Sequence, residues 1–187
     1  AHKRLGPAIE KSNGAKLTIT DLLIAAVARA ITKHPIMNTS WTGIRDNPEI
    51  NISLAMAVKD GVVGAVIHKA DSVKLGDISA QRRDLAERAR ANRLRPADIS
   101  GGTFTISNLG MYQVDAFVAI ITPPQAATLA VGTIADRVVA VNGKPAIRPM
   151  MTVTLSSDHR VLDGARAAEF LSTLAEAIQK PDGWLGE

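Results

Sequence analysis

One histidine stands out as a candidate for proton chemistry. His159 lies between Asp158 and Arg160, with Asp163 and Gly164 shortly after it. An imidazole titrates near neutral pH, and a position at the end of an apolar strand would hold it rigidly, as a general base requires. The same residues also read as a loop histidine in a surface charge cluster, and spacing alone leaves both readings open. Asp163 precedes a helical stretch, so an N-cap role suits it at least as well as a catalytic one. The chain has no cysteine. That excludes a thiolate nucleophile, a zinc-thiolate site and a disulfide framework. No two of the four histidines, His2, His34, His68 and His159, stand at metal-ligand spacing on one helix, so no metal is expected.

The elements that must position these groups are legible from periodicity. Residues 1–14 read as a helix ended by Asn13-Gly14. Residues 18–33 read as a second helix, capped by Thr18 or Thr20, apolar nearly all round and stopped by His34-Pro35. Ile50, Ile52, Leu54, Met56 and Val58 alternate as a strand, and Asp60-Gly61 turns it back through Val62 to Ile67. Residues 77–95 read as a charged helix with Ile78, Leu85 and Ala89 inward. Short strands are expected at 103–107, 117–122, 128–131 and 138–141, with an Asn142-Gly143 turn. Met151, Val153 and Leu155 form the last strand, which runs into His159, and residues 165–180 close the chain as a helix. This order implies an α+β fold, a mixed sheet with helices packed on one side. At 187 residues, 46% hydrophobic, the chain has the size and core of one domain, spanning 1–187.

Three motifs in order carry a resemblance. Residues 157–164, Ser-Asp-His-Arg-Val-Leu-Asp-Gly, resemble the DHRxxDG signature of the dihydrolipoamide acyltransferases of 2-oxo acid dehydrogenase complexes. Residues 101–111 resemble that family's GGTFTISNLGM strand, and 120–126 its IINPPQA turn. The resemblance implies a fold shared with chloramphenicol acetyltransferase. It implies a homotrimer with an active-site channel between subunits, and trimers assembled into a cubic or dodecahedral core. It makes His159 the base, Ser107 of the adjacent subunit the hydroxyl that binds the oxyanion, and Asp163 the aspartate that accompanies the histidine. Coenzyme A and a dihydrolipoamide arm would be the substrates, the lipoyl group being carried on a separate domain. Decarboxylase and dihydrolipoamide dehydrogenase components would be partners. Likeness around residues 109–112 and 117–120 favours acetyl transfer, as in the pyruvate branch. Direct attack of one thiol on the thioester of another needs no enzyme nucleophile, which a chain without cysteine can accommodate.

The same resemblance implies that the family's domain is longer at its amino end, and nothing here resembles a lipoyl or peripheral-subunit-binding domain. A core that keeps the fold without activity is therefore the alternative. The longest apolar run, Leu22 to Ala28, is too short to span a membrane. The net charge of +4 and the arginines of residues 82–95 favour anionic contacts, read here as a solvated helix face, a coenzyme A phosphate contact or nucleic-acid binding. The few aromatics and the lack of a reader motif argue against nucleic acid. Trp184 and Leu185 would either contact a neighbouring trimer or pack on their own subunit. With no address signal in view, a bacterial cytoplasm, a mitochondrial matrix or a plastid stroma are the expected locations.

Overall fold

A computed structural model describes residues 2–42, 44–181 and 184. Helix α1 (His2–Asn13) ends where Gly14 turns into the left-handed region at φ 63°. Helix α2 (Ile19–Lys33) starts at a capping box. The Thr18 side chain accepts from the Asp21 backbone, and the Asp21 carboxylate accepts from the Thr18 backbone N–H at 2.7 Å. Leu23 through Ala28, Ala30 and Ile31 are all buried, as expected of a helix that is apolar on every side. A short 3-10 turn, Pro35–Asn38, follows, and β1 (Thr39–Ser40) pairs with β2 (Arg45–Asp46).

The main sheet begins with β3 (Ile52–Val58) and β4 (Gly61–Ile67). Val58 pairs with Gly61, so the turn residues are Lys59 and Asp60, one position earlier than expected. Helix α3 (Leu75–Arg90) is shorter than the charged run suggests, because Asn92 adopts a left-handed φ of 53° just beyond it. Then come β5 (Phe104–Asn108), β6 (Ala127–Val131), β7 (Ala135–Val141), β8 (Lys144–Met150), β9 (Val153–Ser157) and α4 (Gly164–Gln179). The five-stranded sheet has the order β4-β3-β5-β6-β9. β5 is parallel to both β3 and β6, and the two edge strands are antiparallel. This is the mixed sheet expected. β7 and β8 instead form a separate two-stranded hairpin, with Asn142 and Gly143 both at positive φ in its turn.

The expected strand at 117–122 is absent. Its alternation is present, but among the described residues it forms no backbone ladder with any strand, and Val118 and Ile120 stand 77% and 91% exposed. Beside β9 it is held by a side-chain hydrogen bond, from Ser156 Oγ to the Ala119 carbonyl at 2.6 Å, and its end by the Gln125 N–H on the Thr122 carbonyl at 3.0 Å.

Strand register gives the sheet two unlike faces. Leu54, Ile106, Leu129 and Leu155 line up across four strands on one. Ser53, Thr105, Thr128 and Ser156 line up on the other. The helices pack together, α2 against both α3 and α4 and α1 against α3, and they cover a single apolar core that includes Phe104 and Phe170. Trp184 packs on its own subunit, with the Lys33 ammonium 3.8 Å from its ring; Leu185 lies outside the described residues.

The arginines of α3 divide: Arg83 and Arg90 are exposed, as on a solvated face, while Arg82 and Arg88 are half-buried in ion pairs. Arg82 donates to the fully buried Asp21 of α2, Arg83 to the Gly14 carbonyl, and Arg88 to both Asp84 and Asp98. Arg95 and Arg88 together hold the Asp98 carboxyl down at about 2. Replacing Asp21 with alanine leaves the Arg82 guanidinium largely buried and unpaired. The expected loss is about 3 kcal/mol or more, read from the denaturant midpoint; a loss under about 1 kcal/mol would show the pair to be a bystander.

Candidate active site

The three sequence motifs meet at one end of the sheet. Thr105 Oγ1 donates to Gln125 Oε1 at 2.6 Å, joining the first to the second. The Asp158 backbone N–H donates to the Ala126 carbonyl at 2.8 Å, joining the second to the third. Beyond β9 the chain turns tightly, with the Val161 and Leu162 N–H groups both donating to the Asp158 carbonyl at 2.9 Å. Leu162 is fully buried beneath the turn, which leaves His159 exposed on its crest.

The charges flanking the imidazole are already engaged. Arg160 grips Asp158 through both ends of its guanidinium, Nε to Oδ1 at 2.9 Å and a terminal nitrogen to Oδ2 at 2.6 Å. That grip holds the Asp158 carboxyl at about 2, and the guanidinium also lies 4.2 Å from the Trp41 ring centroid. Asp163 caps α4, its Oδ1 accepting from the Arg166 N–H at 2.9 Å. This hydrogen bond is the main cause of its lowered carboxyl pKa; the charge of His159 is a lesser one.

Ser107 sits elsewhere. It is half-buried near the carboxyl end of β5 and lines a cavity of about 370 Å³ together with Thr20, Arg82, Asn108, Met111 and Tyr112. His159 does not line that cavity. Strand directions explain why. Through Ala130 of β6, Ser107 is in register with Thr154, close to the beginning of β9, whereas His159 follows the end of β9. The two side chains are therefore about 10 Å apart across the strands and at least about 10 Å along them. Within one subunit the two side chains lie at different ends of the sheet.

Residues 2–186 match the family of 2-oxoacid dehydrogenases acyltransferase (catalytic domain). The chain belongs to this family. It is 45% identical over 171 residues to the dihydrolipoyllysine-residue acetyltransferase component of the Schizosaccharomyces pombe mitochondrial pyruvate dehydrogenase complex, covering 89% of this chain and 35% of that protein. The chain thus spans only about a third of that relative's length. Among solved structures it matches the cubic core of a pyruvate dehydrogenase multienzyme complex, with a TM-score of 0.94, 30% identity, and coverage of 98% of this chain and 77% of that one. It matches the Azotobacter vinelandii dihydrolipoamide acetyltransferase with a TM-score of 0.93, 30% identity and the same coverage; that structure was solved to examine a serine, a histidine and an asparagine in the catalytic mechanism. A chloramphenicol acetyltransferase shares the fold at a TM-score of 0.54, 14% identity, and coverage of 91% of this chain and 81% of that one. The α+β, chloramphenicol acetyltransferase-like expectation is met.

Some residues that shape this acyltransferase domain were not singled out from sequence. Asn108 was noted only as part of a motif, and Thr20 only as a possible cap. Both contact the cavity at Ser107, and Arg82 joins them there. Among the described residues, no group of three or more histidine or acidic side chains is placed to hold a metal ion.

Removing the Arg160 guanidinium should release the Asp158 carboxyl. In Arg160→Ala its pKa is expected to climb from about 2 towards the ordinary carboxylate range, followed by NMR titration. The sign follows from a folded-state value below the unfolded one: whatever stability the pair supplies is complete above the ordinary range and fades as pH falls towards 2. An unmoved titration would mean that Arg160 does not hold Asp158 in solution.

Proposed function

We propose that this domain transfers an acyl group, acetyl in preference, between a dihydrolipoamide arm and coenzyme A, with His159 of one subunit facing Ser107 of another. One observation carries the reading. The serine-to-histidine and histidine-to-asparagine intervals of the Azotobacter vinelandii enzyme equal those from Ser107 to His159 and from His159 to Asp163. Here the third residue is aspartate rather than asparagine. The opposed strand ends support the inter-subunit arrangement, since one subunit holds the two side chains at different ends of its sheet.

The chemistry follows from the two side chains. The His159 imidazole takes the proton of the coenzyme A thiol, and the sulfur attacks the thioester carbonyl of the acylated arm. The carbonyl oxygen becomes an oxyanion, which accepts a hydrogen bond from Ser107 Oγ. The carbon–sulfur bond to the arm then breaks, and the departing thiolate takes the proton back from the imidazolium. Asp163 supports the turn by holding the start of α4 rather than by touching the reactants. Assembly into trimers, and of trimers into a larger core, belongs to the same proposal, as do a lipoyl domain and partner enzymes elsewhere in the complex. The likeness to a cubic core supports it.

The test is transfer from acetyl-CoA to dihydrolipoamide, with succinyl and isobutyryl donors for comparison. His159→Ala is expected to lose about 10²- to 10⁴-fold in kcat while keeping the oligomeric state of the wild type. Ser107→Ala should lose about 10²- to 10³-fold, mainly in kcat. Wild-type turnover in His159→Ala would remove the base assignment. An effect of Ser107→Ala confined to KM would remove the oxyanion role. A folded trimer without any transfer activity would make the chain a scaffold.

A further inference from the structure

Ser107 is the fourth residue of β5, which ends one residue later at Asn108, and a hydroxyl that awaits a transient charge needs that strand end held in place. Asn108 secures that end. Its Oδ1 accepts the Gly110 backbone N–H at 2.9 Å, which closes the turn leaving β5. Its Nδ2 donates to Thr20 Oγ1 at 3.2 Å, which ties the turn to the first turn of α2. Donor and acceptor are both used, so the amide is held from two directions.

The far side of this tie is equally firm. Thr20 lies within the capping-box turn of α2, where the fully buried Asp21 accepts from the Thr18 N–H at 2.7 Å and the Thr18 hydroxyl at 2.8 Å. Arg82 of α3 closes the arrangement on Asp21. The cavity beside Ser107 is lined by Thr20, Arg82 and Asn108. The Leu109 N–H adds a backbone bond to the Val131 carbonyl at 3.0 Å, so the turn is fastened to β6 as well.

We infer that Asn108, acting through Thr20, is a positioning residue that sets the Ser107 hydroxyl for the oxyanion. The inference rests on the proposed role of Ser107. Asn108 touches no reactant in this scheme. It works by denying the strand end a second orientation, and misplacement of a donor by a fraction of its hydrogen-bond length is costly because the oxyanion exists only in passing.

The experiment is a double-mutant cycle in the acetyl-CoA to dihydrolipoamide assay, with the thermal midpoint of each variant recorded. Asn108→Ala and Thr20→Val are each expected to lower kcat by about tenfold to 10²-fold with KM within about twofold. Thr20→Ser, which keeps the hydroxyl, should restore most of the loss. In a Ser107→Ala background, Asn108→Ala should cost less than about twofold more, because the hydroxyl it positions is gone. Multiplicative losses in the cycle would overturn the inference and leave the Ser107 role standing. A Thr20→Ser variant as slow as Thr20→Val would also overturn it. Full activity in Ser107→Ala alone would remove the underlying reading, and the inference with it.

Discussion

The direction of one edge strand governs the site. β9 runs antiparallel to β6, so the turn bearing His159 emerges beside the starts of β5 and β6, while Ser107 sits by their ends. Had β9 run parallel, the imidazole and the hydroxyl could have shared one rim of the sheet. Instead each subunit presents half of the proposed machinery at each end of its strands. Under the proposed function, a reaction that needs both halves would depend on neighbours, and catalysis would be a property of an assembly.

Each half is built from a different kind of restraint. At the histidine end the restraints are backbone bonds and an ion pair: Asp158 anchored to Ala126, the turn closed on the Asp158 carbonyl, and Arg160 stretched between a carboxylate and the Trp41 ring. At the serine end they are side-chain bonds leading back to a buried ion pair between two helices. The close approaches also differ. Gly132 meets the Asp115 carbonyl so tightly that a methyl group there would sit 2.0 Å from its oxygen, so the loop after Tyr112 can lie down only over a glycine. The contrast between the hydroxyl row Ser53, Thr105, Thr128, Ser156 and the leucine-rich row behind it keeps the helices on one face.

Most of this fold could be read from the residues alone. The cap at Thr18 or Thr20, the apolar girth of α2, the alternation of β3 and the Asn142-Gly143 turn are local signals, and each produced the element it announced, Thr18 being the cap. The failures are places where local pattern needs a distant partner. Residues 117–122 alternate like a strand but meet the edge strand β9 through a side-chain bond at Ala119 rather than through a backbone ladder. Arg82 of α3 looks like part of a solvent face because its buried partner Asp21 is not near it in sequence. The proposed roles of His159 and Ser107 rest on motifs, while the N-cap role of Asp163 was legible from its place before a helix. Asn108 and Thr20 were not, since nothing in their spacing announces a hydrogen bond that joins β5 to α2.

The guanidinium clasp on Asp158 has a further consequence for the imidazole beside it. In a triad, a third residue with an unengaged carboxylate steadies the cation that forms when the ring picks up a proton. Here one neighbouring acid is locked to Arg160 and the other is bound to a helix terminus. Asp163 still couples to the ring through its charge, but only as a lesser contribution beside its bond to the helix start. Under the proposed function, an acid already committed to a helix start would steady the protonated ring only in part, and a filled site would add the rest.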